Sequence, residues 1–308
     1  MAMNLKQTRI VDPVLTNVAV GYSNAEFVGN FIFPKVFVPQ EGGKVIKFGK
    51  ESFKLHNAKR APSADRKRIS FGYEGEPFVL EENSLEASVD RRQLRAAETM
   101  PGLDLATRAV NMTMNTLRLS AEYESASLAR DAANYDNDHK TTLSGTAKWS
   151  NTASDPIADI AEAQKVIEES IGRSPNLLTL SNAAYRALKS HPAILEHFKH
   201  TSAKAVSVDM LRDLLDVEII KVGRALYVDD ADKTQPVWGN DAILTFSDQN
   251  PSGMESPSFG YDYTLESHPM VEEAYYDDRT TTFYYPVTLT HKAVMTGTAA
   301  GYLFKDAA

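Results

Sequence analysis

Between Leu103 and about Asn134, apolar side chains recur at roughly helical spacing through Val110, Met114, Leu117, Ala121 and Leu128. Arg108, Arg118, Glu122, Glu124 and Arg130 fall mostly off that face. The pattern predicts one long helix after Pro101-Gly102, a spine of about 45 Å at 1.5 Å per residue. Downstream the pattern breaks into short alternating elements. Asp155-Pro156 reads as an N-cap with proline in the first helical position, and Ile157, Ile160, Ala161, Ile167 and Ile171 make the apolar stripe of a helix stopped by Gly172. Leu177 to Leu180 reads as a buried strand. Ser181 or Asn182 caps a helix with Tyr185 and Leu188 inward, Pro192 restarts it, and Ser207 caps Val208 to Leu215. Val217 to Val222, Leu226 to Val228 and Ala242 to Phe246 read as strands, which makes this region a compact α/β lobe. From Tyr261 to Leu303, Thr, Tyr and Val dominate, and these residues are expected to form strands returning to the spine.

The first 40 residues look different. Pro13, Pro34 and Pro39 interrupt them, no helical period is sustained, and Phe27, Phe31, Ile32, Phe33, Val36, Phe37 and Val38 crowd together. Such a segment is expected to lie extended, either as an ordinary first strand or as an arm on another subunit. Behind it come two extended limbs punctuated by Gly42-Gly43, Gly49, Pro62, Gly72, Gly75 and Pro77, the mark of a long hairpin with a loose tip. An isolated hairpin is marginal in water, so this one needs a partner surface.

Charge sharpens that expectation. The 308 residues carry 33 Lys and Arg against 41 Asp and Glu, a net charge of −8. Lys44, Lys47, Lys50, Lys54, Lys59, Arg60, Arg66, Lys67 and Arg68 face only Glu51 and Asp65 between residues 44 and 68, so this limb carries +7 and the rest of the chain −15. Residues 69 to 90 carry Glu74, Glu76, Glu81, Glu82, Glu86 and Asp90 and no Lys or Arg. Opposite charge on the two limbs suits pairing with each other and with a complementary neighbouring copy, while a solvated surface hairpin is the plainer alternative. The acidic balance argues against a dedicated duplex-binding module.

Few residues stand in patterns that carry chemistry. Zero cysteines exclude disulfides, thiolate metal sites, Cys nucleophiles and iron–sulfur clusters. No window approaches the ~20 apolar residues of a membrane span, and Met1 to Arg9 has no signal-peptide h-region, so a soluble intracellular product is expected. His197 and His200 have the i, i+3 spacing of a metal pair, with His191 nearby, but an exposed helix end is the expected reading. Gly42-Gly43-Lys44 lacks the phosphate-loop frame, and Ser144-Gly145 is no nucleophile elbow. Asp229, Asp230 and Asp232 read as a polar turn. The acids around Tyr275-Tyr276 (Glu272, Glu273, Asp277 and Asp278) read as a solvated strand edge or a subunit contact. No catalytic, metal-binding or cofactor-binding residue is assigned, and the chain is expected not to be an enzyme.

An arm, a charged hairpin, a spine and a lobe offer more reaching surface than a solitary monomer uses, which is what a shell-forming subunit needs. The sequence also resembles the tailed-bacteriophage major capsid proteins of the Hong Kong 97 type. The resemblance is carried by residues 16–22 (TNVAVGY) and 31–38 (FIFPKVFV), by Trp149-Ser150 with Ser154-Asp155-Pro156-Ile157, and by Gly172-Arg173-Ser174-Pro175-Asn176. Residues 187–192 (ALKSHP) and Val237-Trp238-Gly239 complete it. It implies an α+β capsid fold divided into an N-terminal arm (1–40), an extended loop (41–85), a peripheral domain (86–172, spine 103–134), an axial domain (173–260) and C-terminal strands (261–308).

It further implies hexamers and pentamers tiling an icosahedral head around double-stranded DNA without sequence-specific binding or membrane contact. Assembly would take place in the host cytoplasm, with separate scaffolding, portal and decoration proteins as possible partners. Within that frame, Phe31, Phe33, Val36, Lys44, Lys47, Lys50, Lys54, Arg60, Arg66, Lys67, Arg68, Glu74, Glu76, Glu81 and Glu82 are the expected subunit-interface residues. An encapsulin-like nanocompartment shell is the nearest alternative, and a soluble α/β metalloenzyme using His191 to His200 is the alternative from another class.

Overall fold

The computed structural model describes residues 11–22, 24–46, 75–98, 104–199, 206–250 and 258–308. The N-terminal segment folds onto its own chain. Asp12 accepts hydrogen bonds from the Val14 and Leu15 amides and Pro13 takes the first turn of helix α1 (Pro13–Gly21). The expectation of no helix before residue 40 is therefore corrected. The helix buries Leu15 and Ala19 against the spine, and that contact outweighs its β-branched content. A single turn, α2 (Gly29–Ile32), leads into strand β1 (Lys35–Val38). The hairpin root is β2 (Gly42–Ile46) paired antiparallel with β3 (Gly75–Val79), and β4 (Glu81–Asp90) and α3 (Arg91–Glu98) follow.

The spine helix α4 (Leu105–Arg130) is shorter than expected at each end. Asp104 caps its start through the Ala106 and Thr107 amides, and Asp131 turns extended to cap a 3-10 turn over Ala132–Asn134. Its 26 residues span about 39 Å. Strands and helices then alternate: β5 (Lys140–Thr142), α5 (Pro156–Ile171), β6 (Leu177–Ser181), α6 (Asn182–Ser190), α7 (Pro192–His197), α8 (Val208–Leu215), β7 (Ile219–Gly223), β8 (Leu226–Val228), β9 (Thr234–Pro236) and β10 (Ala242–Thr245). The chain closes with β11 (Gly260–Leu265), β12 (Met270–Val271), β13 (Tyr275–Asp277), the long β14 (Thr282–Met295) and β15 (Gly301–Lys305).

Two sheets organise the molecule. The first is built on β14, which pairs with β4 along one edge and with β11, β12 and β13 along the other, while β1 extends it in parallel to β11. The second has the order β5-β15-β10-β6-β7, with β6 and β7 parallel across the α6–α8 crossover. Its central strands β6 and β10 are buried along their whole length, as strands covered on both faces are.

The expected domain boundaries need two corrections. β15 does not return to the spine sheet but inserts between β5 and β10, and α5 packs on β10, β15 and α8, so both belong to the α/β lobe. The stripe of α5 also turns: Ala161 is exposed, and Ala163 takes the core position beside Ile160 and Ile167. The spine joins two cores. Val110, Met114 and Leu117 pack with Leu15, Val287 and Leu289 under the first sheet, and Ala126 and Ala129 enter the lobe's core with Ile32, Phe33 and Trp238. Among the described residues, no helix is long and apolar enough to cross a membrane.

Candidate assembly surface

Buried polar groups on α4 tie the described parts of the subunit together. Glu122, 4% exposed, accepts hydrogen bonds from the Val28 amide (2.8 Å), the Gly29 amide (2.7 Å) and the Trp238 indole Nε1 (2.7 Å). One carboxylate thus joins the N-terminal segment, the spine and the lobe. Burial pushes its pKa up, and the three donors oppose that push. Gly29 is required for this approach, because a Cβ there would stand 2.7 Å from Glu122 Oε2 and 3.1 Å from Ser125 Cβ. The sequence pattern placed Glu122 off the apolar face, and the structure corrects that.

At the C-terminus of α4, a second junction forms. Arg130 Nε donates to Asp241 Oδ2 at 2.6 Å, Lys305 Nζ donates to the same oxygen at 3.0 Å, and the Asp306 amide donates to Asp241 Oδ1 at 2.9 Å. Arg130 also donates to the Val237 carbonyl at 2.8 Å. Gly239 turns beneath it at φ +53°, where a Cβ would be strained and would collide with the guanidinium.

The hairpin rises from this frame on an aromatic anchor. Phe78 is buried and stacks on Tyr263 at 4.5 Å between ring centroids, beside Val38, Leu80 and Tyr261. Gly43 passes under the Phe78 ring, leaving no room for a side chain. Lys44, opposite Pro77, is exposed, and so is Val79. Lys47, Lys50, Lys54, Arg60, Arg66, Lys67, Arg68 and Glu74 lie outside the described residues, and Glu76 is placed by its backbone in β3 opposite Val45. Immediately after β3, Glu81, Glu82 and Glu86 stand exposed on β4. Glu81 pairs with Lys292, and Glu86 accepts from the Tyr275 hydroxyl at 2.8 Å. The edge of β4 away from β14 pairs with no other strand among the described residues.

The aromatic cluster of residues 27–38 is divided between roles. Phe33 is completely buried in its own chain's core, 5.7 Å from the Phe259 ring, which removes it from the expected interface set. Phe31 is half-buried under the Lys221 ammonium at 3.9 Å. Val36 is half-buried against the Val38 and Tyr263 cluster, while Phe37 points outward at 58% exposure.

The other polar motifs resolve into structure. His191 caps α7, its Nδ1 accepting from the Ala193 amide at 3.2 Å while Nε2 faces the Asn151 carbonyl at 3.1 Å. Both ring nitrogens are therefore occupied by protein partners and His197 is exposed, whereas His200 lies outside the described residues. Asp229 caps the turn between β8 and β9 through the Ala231 and Lys233 amides, as a polar turn does. Tyr275 and Tyr276 lie on β13, with Asp277 capping the following turn through the Arg279 amide. Trp149 is buried, donating to Asp159 Oδ2 at 2.9 Å.

Comparison with known proteins gives one family. Residues 125–280 match the family model described as phage major capsid protein E. The major capsid protein of Burkholderia phage BcepMu is 36% identical over 309 aligned residues, covering 97% of each chain. A phage-related protein of Bordetella bronchiseptica RB50, known from its crystal structure, is 42% identical over 98% of this chain and 99% of its own, with a TM-score of 0.86. The mature capsid of bacteriophage PhiM1 shares the fold at 10% identity, with a TM-score of 0.54 over 92% of this chain and 88% of its own.

Proposed function

The chain belongs to the phage major capsid proteins, structural subunits of a homo-oligomeric virion shell, and on that premise we propose that it tiles a closed icosahedral head as hexamers and pentamers around double-stranded DNA. In this reading the subunit has the Hong Kong 97-type plan. The hairpin from residues 41 to 85 is its extended loop, the spine with the first sheet its peripheral domain, and the lobe built on the second sheet its axial domain.

One observation carries the reading. The hairpin root is anchored by Phe78 stacked on Tyr263, the +7 limb starts in that root at Lys44, and β4, which follows the root in the chain, carries Glu81, Glu82 and Glu86 exposed. A basic limb and an acidic strand in every copy let each subunit hold the next. Lys44, Lys47, Lys50, Lys54, Arg60, Arg66, Lys67 and Arg68 form the donor side of this clamp, Glu74, Glu76, Glu81 and Glu82 the acceptor side, and Phe31 and Val36 are the apolar interface residues of the same proposal.

The net charge of −8 suits an inner wall that confines DNA without gripping it, since retained phosphate contacts resist packaging and ejection. Assembly in the host cytoplasm with separate scaffolding, portal and decoration proteins belongs to the same proposal. The nanocompartment alternative rests on fold alone, and 36% identity to a phage capsid protein along 97% of the chain favours the head. Negative-stain imaging and nucleic-acid extraction of particles from infected or induced cells test the reading. DNA-filled shells are expected, and shells holding protein cargo and no DNA would overturn it.

A further inference from the structure

A polar cleft opens between the spine and the first strand, lined by Lys35 on β1, Arg118 and Glu122 on α4, Asp262 on β11 and the backbone around Gly29. Its acids already have partners. Glu122 is engaged by three donors, and Asp262 Oδ1 faces His291 Nδ1 at 3.0 Å. Its cations do not. Arg118 Nε is buried without a hydrogen-bond partner. Among the described residues, Lys35 makes no ion pair or side-chain hydrogen bond, not even with Asp262 across the cleft. Burial lowers the Lys35 pKa, Asp262 raises it, and the Arg118 charge lowers it again. Arg118 stacks loosely over the Tyr22 ring, 5.6 Å from its centroid, which orients the guanidinium and satisfies none of its N–H groups.

Although Glu122 and Asp262 share the cleft, neither cation hydrogen-bonds to them among the described residues, and a half-buried cation without a direct acceptor is costly unless an anion joins it. We propose that this cleft binds a small oxyanion of the phosphate class, bracketed by Lys35 Nζ and the Arg118 guanidinium. The guanidinium suits a tetrahedral oxyanion through paired N–H groups, and the lysine adds a point charge from the opposite wall. The cleft is small and partly enclosed, which suits a free ion better than the backbone of a duplex. Because Lys35 sits on β1 and Arg118 on α4, the bound anion fastens the N-terminal segment to the spine at a place where Glu122 already holds it.

Equilibrium dialysis of labelled inorganic phosphate against the full-length chain, at fixed ionic strength, reads the site directly. Saturable uptake of about one phosphate per chain is expected, and sulfate should compete for it while a duplex oligonucleotide should not. Lys35→Gln and Arg118→Gln should each weaken uptake by about tenfold or more, equivalent to about 1.4 kcal/mol. Thermal unfolding supplies a second readout, since a ligand bound only by the folded state raises the melting temperature in a saturating way. Non-saturating stabilisation, equal in wild type and in both variants, is the general exclusion effect of phosphate and would overturn the proposal. Absence of uptake by the wild type would also overturn it, and displacement by the duplex would overturn the free-ion assignment.

Discussion

Glu122 on the spine accepts a 2.7 Å hydrogen bond from the indole of Trp238 in the α/β lobe, although the two residues lie 116 positions apart in the chain. The same carboxylate holds the Val28 and Gly29 amides, so a single side chain fixes how three parts of the subunit meet. Glu122→Ala leaves three buried donors without an acceptor and is expected to destabilise the subunit by about 3 kcal/mol or more. Trp238→Phe removes one donor and some packing and should cost about 1–3 kcal/mol. Chemical denaturation of the unassembled chain measures both, and equal, near-zero effects would refute the junction's importance.

Asp241, with a side chain 1% exposed, is the only acid within ion-pair distance of both Arg130 and Lys305 among the described residues. Asp241→Ala strands both cations and frees the Asp306 amide, and a loss of about 3–5 kcal/mol is expected. The loss should appear in the unfolding midpoint, with the denaturant slope unchanged.

His291 and Asp262 predict a pH dependence. Burial lowers the His291 pKa and Lys35 lowers it further, but the hydrogen bond and charge of Asp262, aided by Glu124, hold it above 6.5. A histidine whose folded pKa is raised contributes stability that is fully present below its unfolded value and lost as pH rises through the folded value. Stability of the unassembled chain should therefore fall as pH rises above 6.5, and His291→Asn should flatten that part of the profile. A His291→Asn profile parallel to wild type would contradict the assignment.

The clamp should respond to charge and salt. Reversing Lys44, Lys47 and Lys50 to Glu is expected to weaken assembly while leaving the stability of the free subunit within about 0.5 kcal/mol. The defect should narrow as salt rises, because salt screens the wild-type attraction and the variant repulsion alike. Light scattering across a salt series measures it.

Local chemistry was legible in the sequence, and long-range placement was not. Asp155, Ser181 and Ser207 mark helix starts through side-chain oxygens that accept from nearby amides, Gly172 marks a helix end through its left-handed backbone, and each sits where the spacing put it. The same signal at Asp12-Pro13 was overshadowed by the proline-rich, β-branched context of α1. Glu122 escaped because a charge on a long helix reads as a solvent face. The available signal was its position four residues before Ala126, on a stripe with Ser125 and Ala129 where small side chains admit a second backbone, here Gly29. The placement of β15 depends on pairing across 50 or more residues, which periodicity does not encode. Of the expected interface, Phe33 was misassigned because apolar residues in an arm look alike whether they pack on their own chain or on another.

If residues 41 to 85 hold one subunit to the next in a closed shell, cryo-electron microscopy of assembled particles will show that contact. Closed icosahedral shells are expected, in which each basic limb lies across the β4 acids of an adjacent copy. Shells in which the limb folds back on its own chain, with no density between Lys44 to Arg68 and a neighbour, would contradict it.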